Sequence, residues 1–289
     1  MTHVGYAPGK LLLSGEHSVV YGHPAIALPV SLGVSVYLEP TDRPLELPNI
    51  DPRLSAAWRS VLPSFGYRVR IETNLPIGKG MGSSAALSIA TLRALASAKG
   101  FTPTFAWLYE KGFEIETHFH GNPSGVDHAL CAMEQSLWYE KDGPKLEPFG
   151  IPTLRLLIMD SGTKGNTGEL VAGVRARHPQ NESILDKIGD LTQEIGHTLK
   201  APHPDMKHLG SLLHQNHIQL QALGVSTPTL DHLVDTAIKA GAYGAKLSGA
   251  GGGGIALALV ENSEPIADAI QKIGYDCFTI ETHTPKESL

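Results

Sequence analysis

The chain has 289 residues, of which 42% are hydrophobic and 18% are charged, and its formal net charge is −6. This composition excludes disordered, collagen-like and coiled-coil proteins, and no block of like charges offers a polybasic surface to nucleic acid or an acidic membrane. The length predicts two lobes, which we place at 1–150 and 151–289.

The compartment is suggested by three features of the sequence. The N-terminal residues lack the apolar core of a signal peptide, and no run approaches the roughly 20 apolar residues of a membrane span. Cys131 and Cys277 are too far apart in sequence for a CxxC site, and we interpret them as free thiols in a reducing compartment. We therefore expect a cytoplasmic protein with neither a nucleic-acid nor a membrane partner.

The first half of the chain begins with strands and continues with helices. Alternating or continuous apolar residues predict strands at 10–14, 25–30, 31–40 and 67–73. A glycine-rich loop then runs into a helix that stops at Gly100, and a second helix is predicted over 104–118.

The second half mixes strands and helices without strict alternation. We predict a hairpin at 136–149 with its turn at Asp142-Gly143, a buried strand at 153–162, helices from about 166 to 240, a strand over GIALALV, a helix at 264–273 and a final strand. Because the order is not a βαβ repeat, the fold class we expect is α+β with two lobes.

Two generic phosphate-binding motifs can be rejected. The segment from Gly5 to Lys10 resembles a P-loop, but it is one residue short and a strand follows where a helix is required. The segment from Gly249 to Gly254 matches GxGxxG, but it precedes a predicted strand and does not open a helix.

A third glycine-rich segment is a better candidate for a triphosphate. Its alternating glycines let a ligand approach the main chain, and it ends at a helix N-terminus whose unpaired N–H groups attract anions. The alternative is a flexible turn with an ordinary serine cap. The residues concerned are Gly78, Lys79, Gly80, Met81, Gly82, Ser83 and Ser84.

Three segments together resemble the GHMP small-molecule kinases across essentially the whole chain. They are Ala7-Pro8-Gly9-Lys10 with Gly15-Glu16-His17, the loop from Leu75 to Ala86, and Lys246-Leu-Ser-Gly-Ala-Gly-Gly-Gly-Gly254. The opening GEHSVVYGHPAIALP and the segments 116–127, 166–174 and 216–225 are similar to the mevalonate kinase branch of that superfamily.

The resemblance implies a ribosomal-S5-like N-terminal lobe and an α+β C-terminal lobe. It also implies ATP-dependent, Mg²⁺-requiring phosphorylation of the 5-hydroxyl of mevalonate, giving 5-phosphomevalonate and ADP in isoprenoid biosynthesis. The partners are then mevalonate and ATP. Homodimers occur in the family, so a homodimer is possible, although no pattern in the sequence indicates a dimer interface.

The resemblance further implies roles for individual residues. Asp127 would accept the alcohol proton late in the reaction, with Lys10 beside it as a point cation. Ser84 and Glu116 would be oxygen ligands of Mg²⁺. Glu16, His17 and Thr167 would lie near the substrate, although His17 reads equally as a structural histidine. Lys79 would either contact phosphate or lie exposed. The second glycine loop would help to enclose the phosphates, through Gly249, Ala250, Gly251 and Gly252.

Two rival interpretations remain. Another kinase of the superfamily would act on phosphomevalonate or a sugar, but a phosphorylated acceptor would require more basic residues than the first 130 residues offer. A nucleotide-binding regulatory module without catalysis is disfavoured because Lys10, Ser84, Glu116 and Asp127 are all present.

Overall fold

A computed structural model describes residues 1–76, 79–120, 125–140 and 145–282 of the chain. The elements, in chain order, are β1 (His3–Ser14), a 3₁₀ turn (Ser18–Tyr21), β2 (Ala25–Pro44), α1 (Pro52–Val61), β3 (Phe65–Thr73), α2 (Ser83–Ala98), α3 (Phe105–His120), α4 (Val126–Met133), β4 (Leu137–Glu140), β5 (Lys145–Pro148), β6 (Arg155–Asp160), α5 (Thr167–Ala176), α6 (Glu182–Lys200), α7 (Met206–Ala222), α8 (Pro228–Lys239), β7 (Gly244–Ser248), β8 (Ile255–Leu259), α9 (Glu264–Lys272) and β9 (Cys277–Glu281).

The residues group into two compact units, and neither is one continuous stretch of chain. We call the first the N-unit; it comprises Met1–Lys10, Pro29–Ile77 and Met81–Glu134. The second, the C-unit, comprises Leu11–Leu28, Gly78–Gly80 and Gln135–Leu289. The division into 1–150 and 151–289 stays a prediction. The last stretch of the N-unit ends at Glu134, and the C-unit also includes Leu11–Leu28 from the N-terminal strands.

Helices α1 to α4 of the N-unit pack on one another, and strands β1 and β3 both pair with β2. The pairing with β3 is antiparallel and covers Val34 to Pro44 of β2. Helix α2 is rich in alanine and buried along most of its length. A Cβ on Gly5 of β1 would lie 2.0 Å from the carbonyl oxygen of Ala90 in α2. Small residues therefore let the first strand lie directly on α2.

The C-unit contains a four-stranded antiparallel sheet in the order β7-β8-β6-β9. Helices α7 and α8 pack on β7, and the core between helices and sheet is aliphatic. A Cβ on Gly244 of β7 would lie 1.7 Å from the carbonyl oxygen of Gly210, so α7 lies against β7 at a pair of glycines. In the same unit, β4 pairs with β5 and with residues 25–27 of β2.

The expected α+β fold class is confirmed, and each predicted strand or helix of the described residues has a counterpart, although the strands predicted at 25–30 and 31–40 form the single strand β2. Three elements were not predicted: α1, α4 and β7. No strand was predicted directly before Gly249, but β7 occupies that position and ends at Ser248. The loop still leads into strand β8 and not into a helix, so the rejection of a dinucleotide-binding motif holds. The predicted turn at Asp142-Gly143 lies outside the described residues.

None of the helices in the described parts of the chain is long and apolar enough to cross a membrane. Both cysteines are free thiols, as the sequence predicts, with Cys131 buried and Cys277 partly buried.

Candidate active site

A lysine–aspartate pair lies within the N-unit. The Nζ atom of Lys10 on β1 is 2.9 Å from Oδ1 of Asp127, and the backbone N–H of Lys10 donates to the carbonyl of Met81 at 2.9 Å. Asp127 sits in the first turn of α4, so its ion pair with Lys10 lies at the N-terminal end of that helix. The lysine side chain is 11% exposed and that of the aspartate 40%, so the carboxylate remains open to a ligand.

The start of α2 lies against the aliphatic stem of this lysine. Gly82 precedes the helix with φ +69°, and a Cβ there would be 2.6 Å from Cγ of Lys10. Only glycine meets both conditions without strain. The structure thus brings Lys10 together with Met81 and Gly82, which lead directly into the helix N-terminus at Ser83 and Ser84. Phosphate binding by this loop stays a prediction. Gly78 lies outside the described residues.

Glu116 belongs to the same cluster of charges. It lies on α3, is only 3% exposed, and interacts with the side chain of Ser84. Burial, followed by the negative charge of Asp127, raises the pKa of Glu116 to about 7, while Ser84 and Lys10 oppose that rise. A buried acid whose pKa is raised by a second carboxylate is typical of a site that holds a cation or moves a proton.

These residues fit a magnesium ion. The Ser84 hydroxyl and the Glu116 carboxylate are hard oxygen donors, and a divalent cation beside them would offset the negative charge that raises the Glu116 pKa. Among the described residues there is no cluster of three or more histidine, cysteine, aspartate or glutamate side chains suited to a metal. Mg²⁺ does not need one, because it commonly takes one or two protein ligands and completes its shell with waters and phosphate oxygens.

Lys79, in the C-unit, is paired with an acid. Its Nζ is 2.9 Å from Oδ1 of Asp160 at the end of β6, and both side chains are mostly buried. Asp160 also accepts a hydrogen bond from the backbone N–H of Gly162 at 2.8 Å. The sequence left Lys79 as either a phosphate contact or an exposed side chain. The structure shows it neither exposed nor unpaired.

The second glycine loop has a backbone that other residues could not adopt easily. Its five glycines all have positive φ, from +71° at Gly252 to +137° at Gly253. A Cβ on Gly251 would lie 2.1 Å from the carbonyl oxygen of Val225, and the N–H of Gly252 donates to that same oxygen at 2.8 Å. The segment before α5 approaches equally closely, since a Cβ on Gly165 would lie 2.2 Å from the oxygen of Gly251.

The expected substrate residues Glu16 and His17 lie beside this loop. The Nε2 atom of His17 is 2.9 Å from the carbonyl oxygen of Ala250. Burial lowers the pKa of His17, so the neutral ring donates through Nε2 to that carbonyl. Glu16 is buried and its carboxylate binds the ammonium of Lys246. Thr167, the third expected substrate residue, is exposed at the first position of α5.

Sequence reasoning missed three features of these surroundings. Lys246 stands inside the third quoted segment, but it was not singled out as a site residue. Asp160 is the last residue of the apolar strand β6, and this position is the only signal that would have found it. A buried network in which Asn216 donates to Ser14 at 2.7 Å, and Ser14 lies 2.7 Å from Thr192, has no sequence signature beyond the quoted Asn216-His217 motif.

The chain is similar to known proteins over most of its length. The family model for the GHMP kinase N-terminal domain matches residues 53–135, and the model for the GHMP kinase C-terminal domain matches residues 198–277. The chain is 33% identical to a mevalonate kinase of Thermococcus sibiricus, over 93% of this chain and 92% of the relative.

Solved structures of two mevalonate kinases have the same fold over nearly the whole chain. The L. major mevalonate kinase in complex with R-mevalonate aligns with a TM-score of 0.84 and 25% identity, over 99% of this chain and 96% of that one. The Methanococcus jannaschii mevalonate kinase aligns with a TM-score of 0.83 and 25% identity, over 98% of this chain and 99% of that one.

Proposed function

Because this chain belongs to the mevalonate kinase family of the GHMP kinases, we propose that it transfers the γ-phosphoryl group of ATP to the 5-hydroxyl of mevalonate through the Lys10–Asp127 pair. The products are 5-phosphomevalonate and ADP, and the reaction belongs to isoprenoid biosynthesis. The observation that carries the proposal is the 2.9 Å contact between an inward-facing lysine and an accessible aspartate at a helix N-terminus.

In this reaction the acceptor oxygen forms a bond to the γ-phosphorus while the bond from that phosphorus to the bridging oxygen of ADP breaks. The hydroxyl proton passes to the carboxylate of Asp127. Its transfer comes late, because the hydroxyl becomes acidic only as the loose transition state forms. The ammonium of Lys10 holds the carboxylate in place and stabilises the negative charge on the transferred group.

We assign Mg²⁺ to Ser84 and Glu116. An ion held there would neutralise charge on the β- and γ-phosphates. The protein's own contribution is a buried carboxylate whose pKa of about 7 falls when a cation binds, and a serine at the helix start that fixes its orientation. The N-terminal N–H groups of α2, after the glycine at position 82, are suited to the phosphate oxygens.

The remaining residues are assigned from the resemblance to the family. The glycine loop Gly249–Gly254 encloses the phosphates, and His17 and Thr167 contact the acceptor. Lys79 leaves Asp160 and binds a phosphate oxygen when nucleotide binds. A homodimer stays a prediction from the resemblance.

The deciding experiment measures ADP release with MgATP while offering mevalonate, phosphomevalonate and several sugars in parallel. Turnover on mevalonate alone is the expected result. Turnover on another acceptor would retain the Asp127 chemistry and overturn the substrate. ATP binding without ADP release across the whole panel would favour a regulatory module.

A further inference from the structure

A fully buried ion pair joins two segments of the C-unit that are remote in sequence. The side chains of Lys246, on β7, and Glu16, after β1, are both 0% exposed, and the lysine Nζ binds Oε1 of the glutamate and, at 2.8 Å, the carbonyl of Leu247. Burial lowers the pKa of Lys246, and the negative charge of Glu16 acts against that change. A pair of this kind is a poor source of net stability, because removing both charges from water costs about as much as their attraction returns.

The position of the pair suggests what it is for. Lys246 is two residues before the end of β7, and the glycine loop begins directly afterwards. Two further bonds join the same segments: the Ser248 hydroxyl donates to the carbonyl of Leu12 at 2.9 Å, and His17 donates to the carbonyl of Ala250 at 2.9 Å. The end of β1 and the start of the glycine loop are therefore held in one register by three side-chain contacts.

The pair also supports an unfavourable backbone. His17 has φ +60°, and left-handed conformations cost a residue with a side chain about 1 kcal/mol. The two residues that precede His17 are held in place. Gly15, at φ +97°, is packed so that a Cβ would lie 2.5 Å from the carbonyl oxygen of Pro24, and the next residue, Glu16, is tied to Lys246. Loss of the ion pair would free His17 to relax and to release Ala250.

We propose that Lys246 and Glu16 are positioning residues that set the acceptor-side His17 and the nucleotide-side glycine loop in a single arrangement. The inference rests on the proposed function, and it changes the role that the sequence suggests for Glu16. A fully buried carboxylate bound to Lys246 acts on the acceptor through His17 and not by direct contact. Binding at one of the two segments then favours binding at the other, a coupling that must be reciprocal.

The two roles for Glu16 make different predictions for Glu16→Gln. A direct contact with the acceptor would raise KM for mevalonate and leave nucleotide affinity unchanged. The positioning role weakens both, because the glycine loop loses its register together with His17. We expect the Kd of Mg²⁺ with adenylyl imidodiphosphate, a non-hydrolysable ATP analogue, to rise at least fivefold, and KM for mevalonate to rise by a similar factor.

Lys246→Met alone leaves an unpaired buried carboxylate and is expected to lose much of its stability. The double variant Glu16→Gln/Lys246→Met removes both charges and keeps the test open if the single variant does not fold. We expect it to retain the wild-type circular dichroism spectrum and to bind the analogue no more weakly than Glu16→Gln, because the two changes break the same link. Lys239→Met, on the exposed last turn of α8, is the matched control.

Analogue affinity in folded Glu16→Gln equal to that of the wild type would overturn the inference, and so would additive losses in the double variant. The binding measurement does not need an active acceptor. If the wild-type protein failed to turn over mevalonate while Glu16→Gln still lost analogue affinity, the proposed substrate would fall and the positioning role would stand.

Discussion

The ammonium of Lys10 lies 2.9 Å from the carboxylate of Asp127, in a pair whose basic partner is almost buried and whose acidic partner is 40% exposed. The lysine is held in the interior of the N-unit, and the aspartate side chain is partly open to solvent. This asymmetry suits a carboxylate that receives a proton from a bound ligand while its cation stays in place.

Asp127→Asn removes the proton acceptor and keeps the shape of the side chain. We expect kcat to fall by about a thousandfold or more, within the range found for general-base loss, and the Kd for MgATP to change less than about threefold. Steady-state kinetics and calorimetric titration measure the two quantities. Asp190→Asn, on the exposed face of α6, is the control. Near-normal turnover in Asp127→Asn would remove the aspartate from the mechanism.

Gly82→Ala tests the packing of the α2 start against Lys10. Gly80 and Gly82 both have positive φ, +82° and +69°, so alanine strains the backbone at either position, by about 1 kcal/mol. Only at Gly82 would the new Cβ meet Lys10, 2.6 Å from its Cγ, whereas no described atom lies within 4 Å at Gly80. We expect the kcat of Gly82→Ala to be at least tenfold lower than that of Gly80→Ala. The two variants should have similar melting temperatures. Equal kcat values in the two variants would contradict this account.

Glu116→Gln tests the metal assignment. Turnover should stop when EDTA removes Mg²⁺, and the glutamine variant should need at least about tenfold more Mg²⁺ for half-maximal rate, since it loses an anionic oxygen ligand. Glu114→Gln is the matched control, because this glutamate is exposed on the same helix and pairs with Lys111. An unchanged Mg²⁺ requirement in the position-116 variant would exclude that carboxylate as a ligand.

His217 makes stability depend on pH. Burial lowers its pKa to about 4; the charge of Lys246 and a neighbouring His214 act in the same direction, and Asp231 acts against them. Since the unfolded histidine titrates near 6.5, the unfolded state binds more protons between pH 6.5 and 4, and stability is lost as pH falls through that window, by up to about 3 kcal/mol.

His217→Asn keeps an acceptor for the N–H of Leu247, which donates to Nδ1 at 3.3 Å. Urea unfolding at pH 7 and pH 4.5 should therefore show a smaller stability difference for this variant than for the wild type. The exposed His203→Asn should keep the wild-type difference. The histidine would not be the source of acid sensitivity if both variants behaved like the wild type.

The fold was predictable where periodicity is strong. The strands and helices of the described residues follow apolar patterns and caps that are visible in the sequence, including the helix after the first glycine loop. Strand β7 was missed because GAKLS contains a glycine and a lysine, which do not resemble a buried strand. Its lysine is buried only because Glu16, 230 residues away, supplies the opposite charge. No local pattern contains that information.

The candidate site was also predictable only in part. The residue types and their order pointed to the family, and the family pointed to Lys10, Glu116 and Asp127, which the structure places in one cluster of charges. Sequence could not show that Glu16 is ion-paired with a buried lysine, or that Lys79 already has an acidic partner. Both facts depend on side-chain packing across long stretches of chain.

The interleaved composition of the C-unit bears on how the chain is made. Residues Leu11–Leu28 leave the ribosome early, yet the lysine that neutralises Glu16 is added 230 residues later. At about 5 to 20 residues per second, that delay is about 10 to 50 seconds. During this interval the glutamate must stay hydrated, so the segment around Glu16 can reach its final conformation only after Lys246 has been added.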